Sequence, residues 1–145
     1  MTIAALLVAV LPAAMELSYV PFERIPARDT ILIQAEVNGR TAAFIVDTGA
    51  TYTIVEPGLV SLSRETAGEA SPLRGIGISG EGTWAAATIR IGSKTWRRQR
   101  VLAMSLGAVS RAYRRHIDGI LGQDVLGSVK SVLIDNAARQ VVLTW

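Results

Sequence analysis

The feature that most constrains the fold is a short apolar run that ends in an acidic residue. The run Phe44–Val46 leads directly into Asp47, and after the turn at residues 48–50 a second strand-like run, Thr51–Val55, begins. Turns are generally rich in Asp and Gly, so the tripeptide alone is a weak signal. The apolar flanks strengthen it, because a carboxylate at the end of a buried strand is typical of a functional acid.

An ionised carboxylate between two buried strands would be costly unless it were hydrogen-bonded. We expect donors from within the turn, namely the Thr48 hydroxyl and the backbone N–H groups of Gly49 and Ala50. A plain structural turn is the alternative to a functional acid at Asp47.

The segment before the acid predicts a β-hairpin. Residues of Thr30–Val37 alternate between apolar and polar along most of their length. Asn38-Gly39 then favours a two-residue turn with positive φ at both positions. The chain therefore folds back onto Thr41–Val46 with no helix between the strands, which argues against a nucleotide-binding βαβ unit.

A glycine-rich stretch, Leu73–Gly82, lies between two strand-like runs. It lacks the Lys-Ser/Thr pair and the following helix of a phosphate-binding loop. The stretch predicts a flexible hairpin, with a glycine-rich loop of no special role as the alternative. Trp84 lies just beyond it, and either covers the site or packs on the sheet.

The C-terminal part predicts a buried strand, a short helix and a last hairpin. Gly119–Gly122 is the strand, and Gln123–Gly127 is the helix, with its apolar side chains facing inward. Ser131–Asp135 and Gln140–Trp145 form the hairpin.

Two of these segments resemble a known family. Residues 44–50, Phe-Ile-Val-Asp-Thr-Gly-Ala, resemble the active-site signature of aspartic proteases. Residues 117–126 are similar to the strand and short helix near the end of retropepsin-like proteases, and the resemblance extends over most of Val20–Trp145. It implies an all-β fold, a small closed orthogonal β-barrel with one short C-terminal helix, active as a dimer, of the bacterial single-domain type.

The resemblance also implies roles for individual residues. Asp47 would be catalytic, in an active-site loop with Thr48, Gly49 and Ala50, and Thr48 would brace the loops of two subunits. Gly122 and Asp124 would support the structure, although Gln123 stands where the family often has Arg or Asn. The flap that closes over the substrate would comprise Gly75, Ile76, Gly77, Ile78, Ser79 and Gly80.

Aspartic proteases need two carboxylates that share a proton and act on a water between them. This chain has one Asp-Thr-Gly, and Asp29, Asp118 and Asp135 lack its strand-turn context. The sequence therefore predicts an aspartic endopeptidase whose two copies each supply Asp47 to a two-fold axis. Gln140–Trp145 or the N-terminal segment would form the seam. The alternative is a catalytically silent peptide-binding or scaffold domain of the same fold.

Composition excludes several other chemistries. The 145 residues suit one domain, and the absence of cysteine excludes thiol chemistry and disulfides. The single histidine, His116, is interpreted as a surface residue, since no Gly-x-Ser-x-Gly motif accompanies it. We expect no metal and no cofactor, only a peptide or protein substrate.

The net charge of +3 is modest. Two arginine clusters are interpreted as solvated strand edges, with binding to an acidic partner or an anionic membrane as the alternative. They lack the interleaved aromatic residues of a nucleic-acid binder, so no nucleic-acid partner is expected. The clusters are Arg97, Arg98 and Arg100, and Arg111, Arg114 and Arg115, the second placed in a loop before His116.

The apolar run Ile3–Met15 is too short to span a bilayer, which takes about 20 residues. Its length suits the apolar part of an export signal, and an N-terminal strand is the alternative. We therefore predict a leader at residues 1–15 and a protease domain at 16–145. The protein would be exported to the periplasm or cell envelope, and the N-terminus would bring it near a membrane.

Overall fold

The computed structural model describes residues 14–62, 71–75 and 78–145, and this part of the chain is mostly β. Two short 3-10 turns, Pro26–Arg28 and Pro57–Leu59, lie among the strands. The strands are β1 (Leu17–Ile25), β2 (Thr30–Val37), β3 (Arg40–Val46), β4 (Ile54–Val55), β5 (Ser71–Gly75), β6 (Ile78–Ile91), β7 (Lys94–Ala103), β8 (Gly119–Leu121), β9 (Ser131–Asp135) and β10 (Gln140–Thr144), and the helices are α1 (Gly107–Tyr113) and α2 (Gln123–Leu126).

Six of the strands close into a barrel. They follow one another in the order β6-β7-β4-β8-β3-β2, and β2 returns to β6 through the pairs Glu36↔Arg90 and Val37↔Ile89. The closed all-β barrel expected from the sequence is therefore confirmed. Its interior is filled by apolar side chains from every wall, among which Phe44 and Ile89 are fully buried.

The hairpin that delivers the acidic residue has the predicted turn. Asn38 has φ 52° and Gly39 has φ 81°, so both central residues lie in the left-handed region. The Asn38 side chain also donates to the Leu59 carbonyl at 2.9 Å and accepts from the Thr88 N–H at 2.9 Å. The turn is thus tied to the 3-10 turn Pro57–Leu59 and to β6 as well as to its own strands.

The segment before the predicted hairpin contains a full strand, β1, that serves two sheets. Its first half, Leu17–Pro21, pairs with β10, and its second half, Phe22–Ile25, pairs with β2. The change of sheet follows directly after Pro21, which has no N–H to contribute to a ladder.

The last hairpin, β9–β10, forms as predicted. The expectation that Gln140–Trp145 pairs with a second copy is wrong, because β10 lies between β1 and β9 and both of its edges are occupied. Among the described strands, β9 instead lies at the edge of this sheet. The described strand with a free edge in this sheet is therefore β9, which comes before the final strand in the sequence.

Helix α1 replaces the loop that the sequence analysis placed around Arg111. No side chain caps its N-terminus, and only seven residues are helical, so local propensity does not explain it. Leu106 and Val109 are buried in a second apolar cluster on the outside of the barrel. The Leu106 N–H also donates to the Glu56 carboxylate. Long-range packing therefore determines that this segment is helical.

Neither helix of the described chain is long and apolar enough to cross a membrane. Residues 1–13, most of the predicted leader, lie outside the described part, so the boundary between leader and domain stays a prediction.

A glycine in β8 allows the barrel core to close. A Cβ on Gly119 would overlap the ring of Phe44, whereas a Cβ on Gly58 would meet nothing within 4 Å. We expect Gly119→Ala to lower the free energy of unfolding by about 1–3 kcal/mol, because the buried ring must move. Gly58→Ala is the matched control and should leave it within about 0.5 kcal/mol. Equal unfolding midpoints in urea for the two variants would contradict this account of the core.

Candidate active site

Asp47 stands where two parallel strands end side by side. β3 and β8 pair in parallel, with Val46 opposite Leu121, and the Asp47 N–H donates to the Leu121 carbonyl at 3.1 Å. The loop that starts at Asp47 therefore lies beside the chain that enters α2. Both strands are apolar and largely buried, so they hold the start of the loop in a fixed place.

The carboxylate itself is exposed in the single chain, in contrast to the buried setting that its flanks suggested. Asp47, Thr48 and Gly49 are all exposed. Of the three predicted donors, the Gly49 N–H reaches Asp47 Oδ1, at 2.8 Å. The Ala50 N–H instead donates to the backbone carbonyl of Asp47 at 3.2 Å. In the described part of the chain, no hydrogen bond joins the Thr48 hydroxyl to the carboxylate.

The start of α2 holds the other side of the loop. The backbone N–H of Gln123 donates to the Ala50 carbonyl at 2.8 Å, and the Asp124 N–H donates to the Thr51 carbonyl at 3.2 Å. The Gln123 side chain adds a bond from Nε2 to the Thr48 carbonyl at 2.8 Å. Consecutive peptide groups of the loop are thus bonded to consecutive residues of the helix.

Gly122 permits this close approach. A Cβ there would lie 2.6 Å from the backbone carbon and oxygen of Tyr52 and 3.0 Å from the Ala50 carbonyl oxygen. These are main-chain atoms that cannot rotate away as a side chain would. A larger residue at position 122 would therefore push α2 off the Asp47 loop.

Asp124 bonds to the strand that leaves the loop. Its carboxylate accepts from the Thr53 N–H at 3.1 Å, from Thr53 Oγ1 at 2.7 Å and from Gln99 Nε2 at 3.3 Å. The Thr53 hydroxyl in turn accepts from the Gly122 N–H at 3.1 Å. Thr53 and Gln99 were not among the predicted site residues. A polar residue in a strand carries no local signal of such a long-range contact.

The glycine-rich stretch forms a hairpin, as predicted. β5 and β6 pair in antiparallel fashion through Leu73↔Gly80, Arg74↔Ser79 and Gly75↔Ile78. Ile76 and Gly77, at the expected tip, lie outside the described residues. The role of the hairpin as a flap over the substrate stays a prediction.

Trp84 packs on the sheet, one of the two options left open by the sequence. Its side chain is 9% exposed and belongs to the second apolar cluster. The Tyr52 ring meets it edge-on with 5.0 Å between centroids, and the Arg100 guanidinium carbon lies 3.9 Å from the indole centroid. Tyr52 therefore connects this cluster to the Asp47 loop.

The remaining aspartates are engaged in local contacts. Asp118 accepts from the Ala43 N–H at 2.9 Å and lies 2.7 Å from Nε2 of the exposed His116. Asp29 pairs with Arg24, and Asp135 accepts from the Ala138 N–H at 2.9 Å. Among the described residues, no group of three or more His, Asp or Glu side chains is placed to hold a metal ion.

The arginine clusters lie on the surface at different elements. Arg97, Arg98 and Arg100 are exposed on β7, where Arg98 has φ 52° at an irregularity in the pairing with β6. Arg111 belongs to helix α1 rather than to the loop expected from the sequence, and Arg115 forms an ion pair with Glu23.

The family model described as "Aspartyl protease" matches residues 33–125. This span contains the Asp47 loop, the glycine-rich stretch Leu73–Gly82 and the start of α2. A comparison with curated protein sequences gave no match.

A solved structure shares the fold. A retropepsin-like aspartic protease from Rickettsia conorii is 16% identical, with a TM-score of 0.60, and the match covers 91% of this chain and 94% of that one. The retroviral protease-like domain of Ddi1 from Leishmania major is also 16% identical, with a TM-score of 0.41, over 77% of this chain and 91% of that domain. The first of these confirms the fold expected from the resemblance.

The contact between Thr53 and Asp124 can be tested by stability. Thr53→Val keeps the shape of a fully buried side chain, but the Gly122 N–H loses its acceptor and Asp124 Oδ1 loses one of its two donors, the other being the Val125 N–H. We expect the free energy of unfolding to fall by about 1–3 kcal/mol. Thr51→Val, an exposed position two residues away, is the matched control and should change it by less than about 0.5 kcal/mol. Denaturant titrations that give both variants the same midpoint would refute this role of Thr53.

Proposed function

Since the chain belongs to the aspartyl protease family, we propose that it is an endopeptidase that hydrolyses peptide bonds in a peptide or protein substrate. The observation that carries the proposal is the setting of Asp47. Its carboxylate projects from an exposed loop whose two ends are held by buried parallel strands and by α2. A carboxylate that is fixed in place and open to solvent suits an acid that must meet both a water molecule and a substrate.

The chemistry needs a second carboxylate. Two carboxyl groups about 3 Å apart share one proton, because both cannot be ionised at that distance. The ionised group takes a proton from the water between them as it attacks the scissile carbonyl. The protonated group donates its proton to the carbonyl oxygen. The group that took the water proton later donates that proton to the leaving nitrogen, while the first group recovers a proton from the collapsing diol. Among the described residues no other aspartate stands at a comparable loop, so the partner would be Asp47 of a second copy.

A homodimer with a two-fold axis beside the Asp47 loop satisfies this requirement. The exposure of residues 47–49 in the single chain supports it, since a loop at such an axis must be open before the copies meet. Thr48, whose carbonyl is held by Gln123, would then have its hydroxyl free to bond across the axis. The hairpin β5–β6 would close over the bound substrate and exclude water.

The edge strand β9 is the seam we propose for the dimer. Leu133 is 59% exposed and Ile134 is 40% exposed, and an exposed apolar edge strand readily pairs with another strand. Leu133 lies in one row with Val142 and the exposed Tyr19 across the three-stranded sheet. If two β9 strands paired in antiparallel fashion about Leu133, Val132 of one copy would lie opposite Ile134 of the other.

Export to the cell envelope through residues 1–15 remains part of the proposal, supported by the composition of that segment.

Asp47→Asn tests the chemistry. The amide cannot act as a base, so cleavage of a peptide library should fall about a hundred- to ten-thousand-fold while the unfolding midpoint stays near that of the native chain. Adding an excess of this variant to the native protein should also lower the activity, because mixed dimers contain one carboxylate. Cleavage that survives the substitution would place the chemistry elsewhere. Binding of peptides without any cleavage by the native chain would favour the alternative of a silent binding domain.

Leu133→Lys tests the seam. A charge at the centre of the paired edge should weaken the dimer, so activity per chain should drop at low protein concentration and recover at high concentration. Sedimentation velocity would show the matching shift toward the monomer. Leu62→Lys makes the same change at a 52% exposed leucine elsewhere and should leave both measurements unchanged. If the two variants behave alike, β9 is not the seam.

A further inference from the structure

The side chain of Gln123 holds one peptide group of the Asp47 loop. Its Nε2 donates to the Thr48 carbonyl at 2.8 Å. That carbonyl belongs to the peptide unit that joins Thr48 to Gly49. Gln123 is the first residue of α2, so its side chain starts from a helix whose inner face is anchored by the buried Val125 and Leu126.

The same peptide unit supports the carboxylate at its other end. The Gly49 N–H donates to Asp47 Oδ1 at 2.8 Å. The peptide is planar and trans, so its C=O and N–H point in opposite directions. A bond that fixes the direction of the carbonyl therefore fixes the direction of the N–H. Gln123 and Asp47 are therefore hydrogen-bonded to opposite ends of one rigid peptide unit.

The neighbouring peptides of the loop do not need a side chain in this way. The Ala50 and Thr51 carbonyls are bonded to backbone N–H groups of α2, which any residue other than proline supplies. The peptide between Thr48 and Gly49 is flanked by exposed residues, and glycine permits it to rotate at little cost. Without the Gln123 amide, that plane would lose its tie to the helix.

We propose that Gln123 is a positioning residue, which aims the Gly49 N–H at the Asp47 carboxylate by holding the Thr48 carbonyl. This inference rests on the proposed function for its consequence on rate, but the chain of hydrogen bonds can be tested apart from it. The Gly49 N–H orients the carboxylate oxygen to which it donates, so its loss leaves that oxygen less well placed without removing a group that contacts the substrate.

The test is Gln123→Met, which keeps the length of the side chain and its helical preference but removes the donor. We expect kcat to fall about three- to ten-fold with KM within about two-fold of the native value. The Gly49 amide should exchange its hydrogen faster in NMR measurements.

Gln34→Met is the matched control, because Gln34 is an exposed glutamine on β2 in the barrel wall, away from α2. It should leave kcat, KM and the Gly49 exchange rate unchanged. The inference is overturned if Gln123→Met keeps the native kcat and the native Gly49 exchange rate, or if Gln34→Met has the same effects. A native chain that cleaves no peptide would defeat the proposed function alone, and the Gly49 exchange rate would still decide the role of Gln123.

Discussion

The structure depends on the contact between the Asp47 loop and the start of α2. The loop has no regular structure of its own between β3 and β4, so its shape is set by what it bonds to. Strand β8 supplies the Leu121 carbonyl on one side, and the first residues of α2 supply donors on the other. Gly122 stands between these two groups and is the residue that allows the main chains to approach. The conformation of a solvent-exposed loop is in this way determined by the strand and the helix beside it.

Asp124 extends this arrangement into the barrel. Its carboxylate bonds to Thr53 on the far side of the loop and to Gln99 on β7. Hydrogen bonds therefore hold the chain at Asp47, at the following residues 48–51 and at Thr53. Such rigidity is useful for a proposed catalyst, because a carboxylate that must share a proton with a second one has to be placed to within a fraction of an ångström. The single chain arranges one half of that geometry and leaves Asp47 open to solvent.

Much of the fold followed from local patterns. The turn at Asn38-Gly39, the strands on either side of it, the last hairpin and α2 are all where alternation and turn chemistry predicted them. The features that local patterns did not predict share one physical cause. Helix α1 forms because Leu106 and Val109 find an apolar cluster contributed by distant strands, and β1 changes sheets because its two halves meet different partners. In both cases the packing or pairing partners are distant in the sequence, so the neighbouring residues do not reveal them. The apolar flanks of Asp47 likewise suggested burial, yet the loop beyond them is exposed.

By itself, the sequence determined the candidate acid and the strand that leads to it, because these depend on a compact motif and on short-range periodicity. The class of barrel followed from the resemblance of two short segments to a known family. The tertiary structure decided what surrounds the acid. Thr53, Gln99 and Gln123 come from three separate segments and meet only when β4, β7 and α2 are packed together. It also decided that β10 is internal and β9 lies at an edge. Strand order is a property of long-range pairing, and an apolar strand has the same local pattern whether one of its edges or both are occupied.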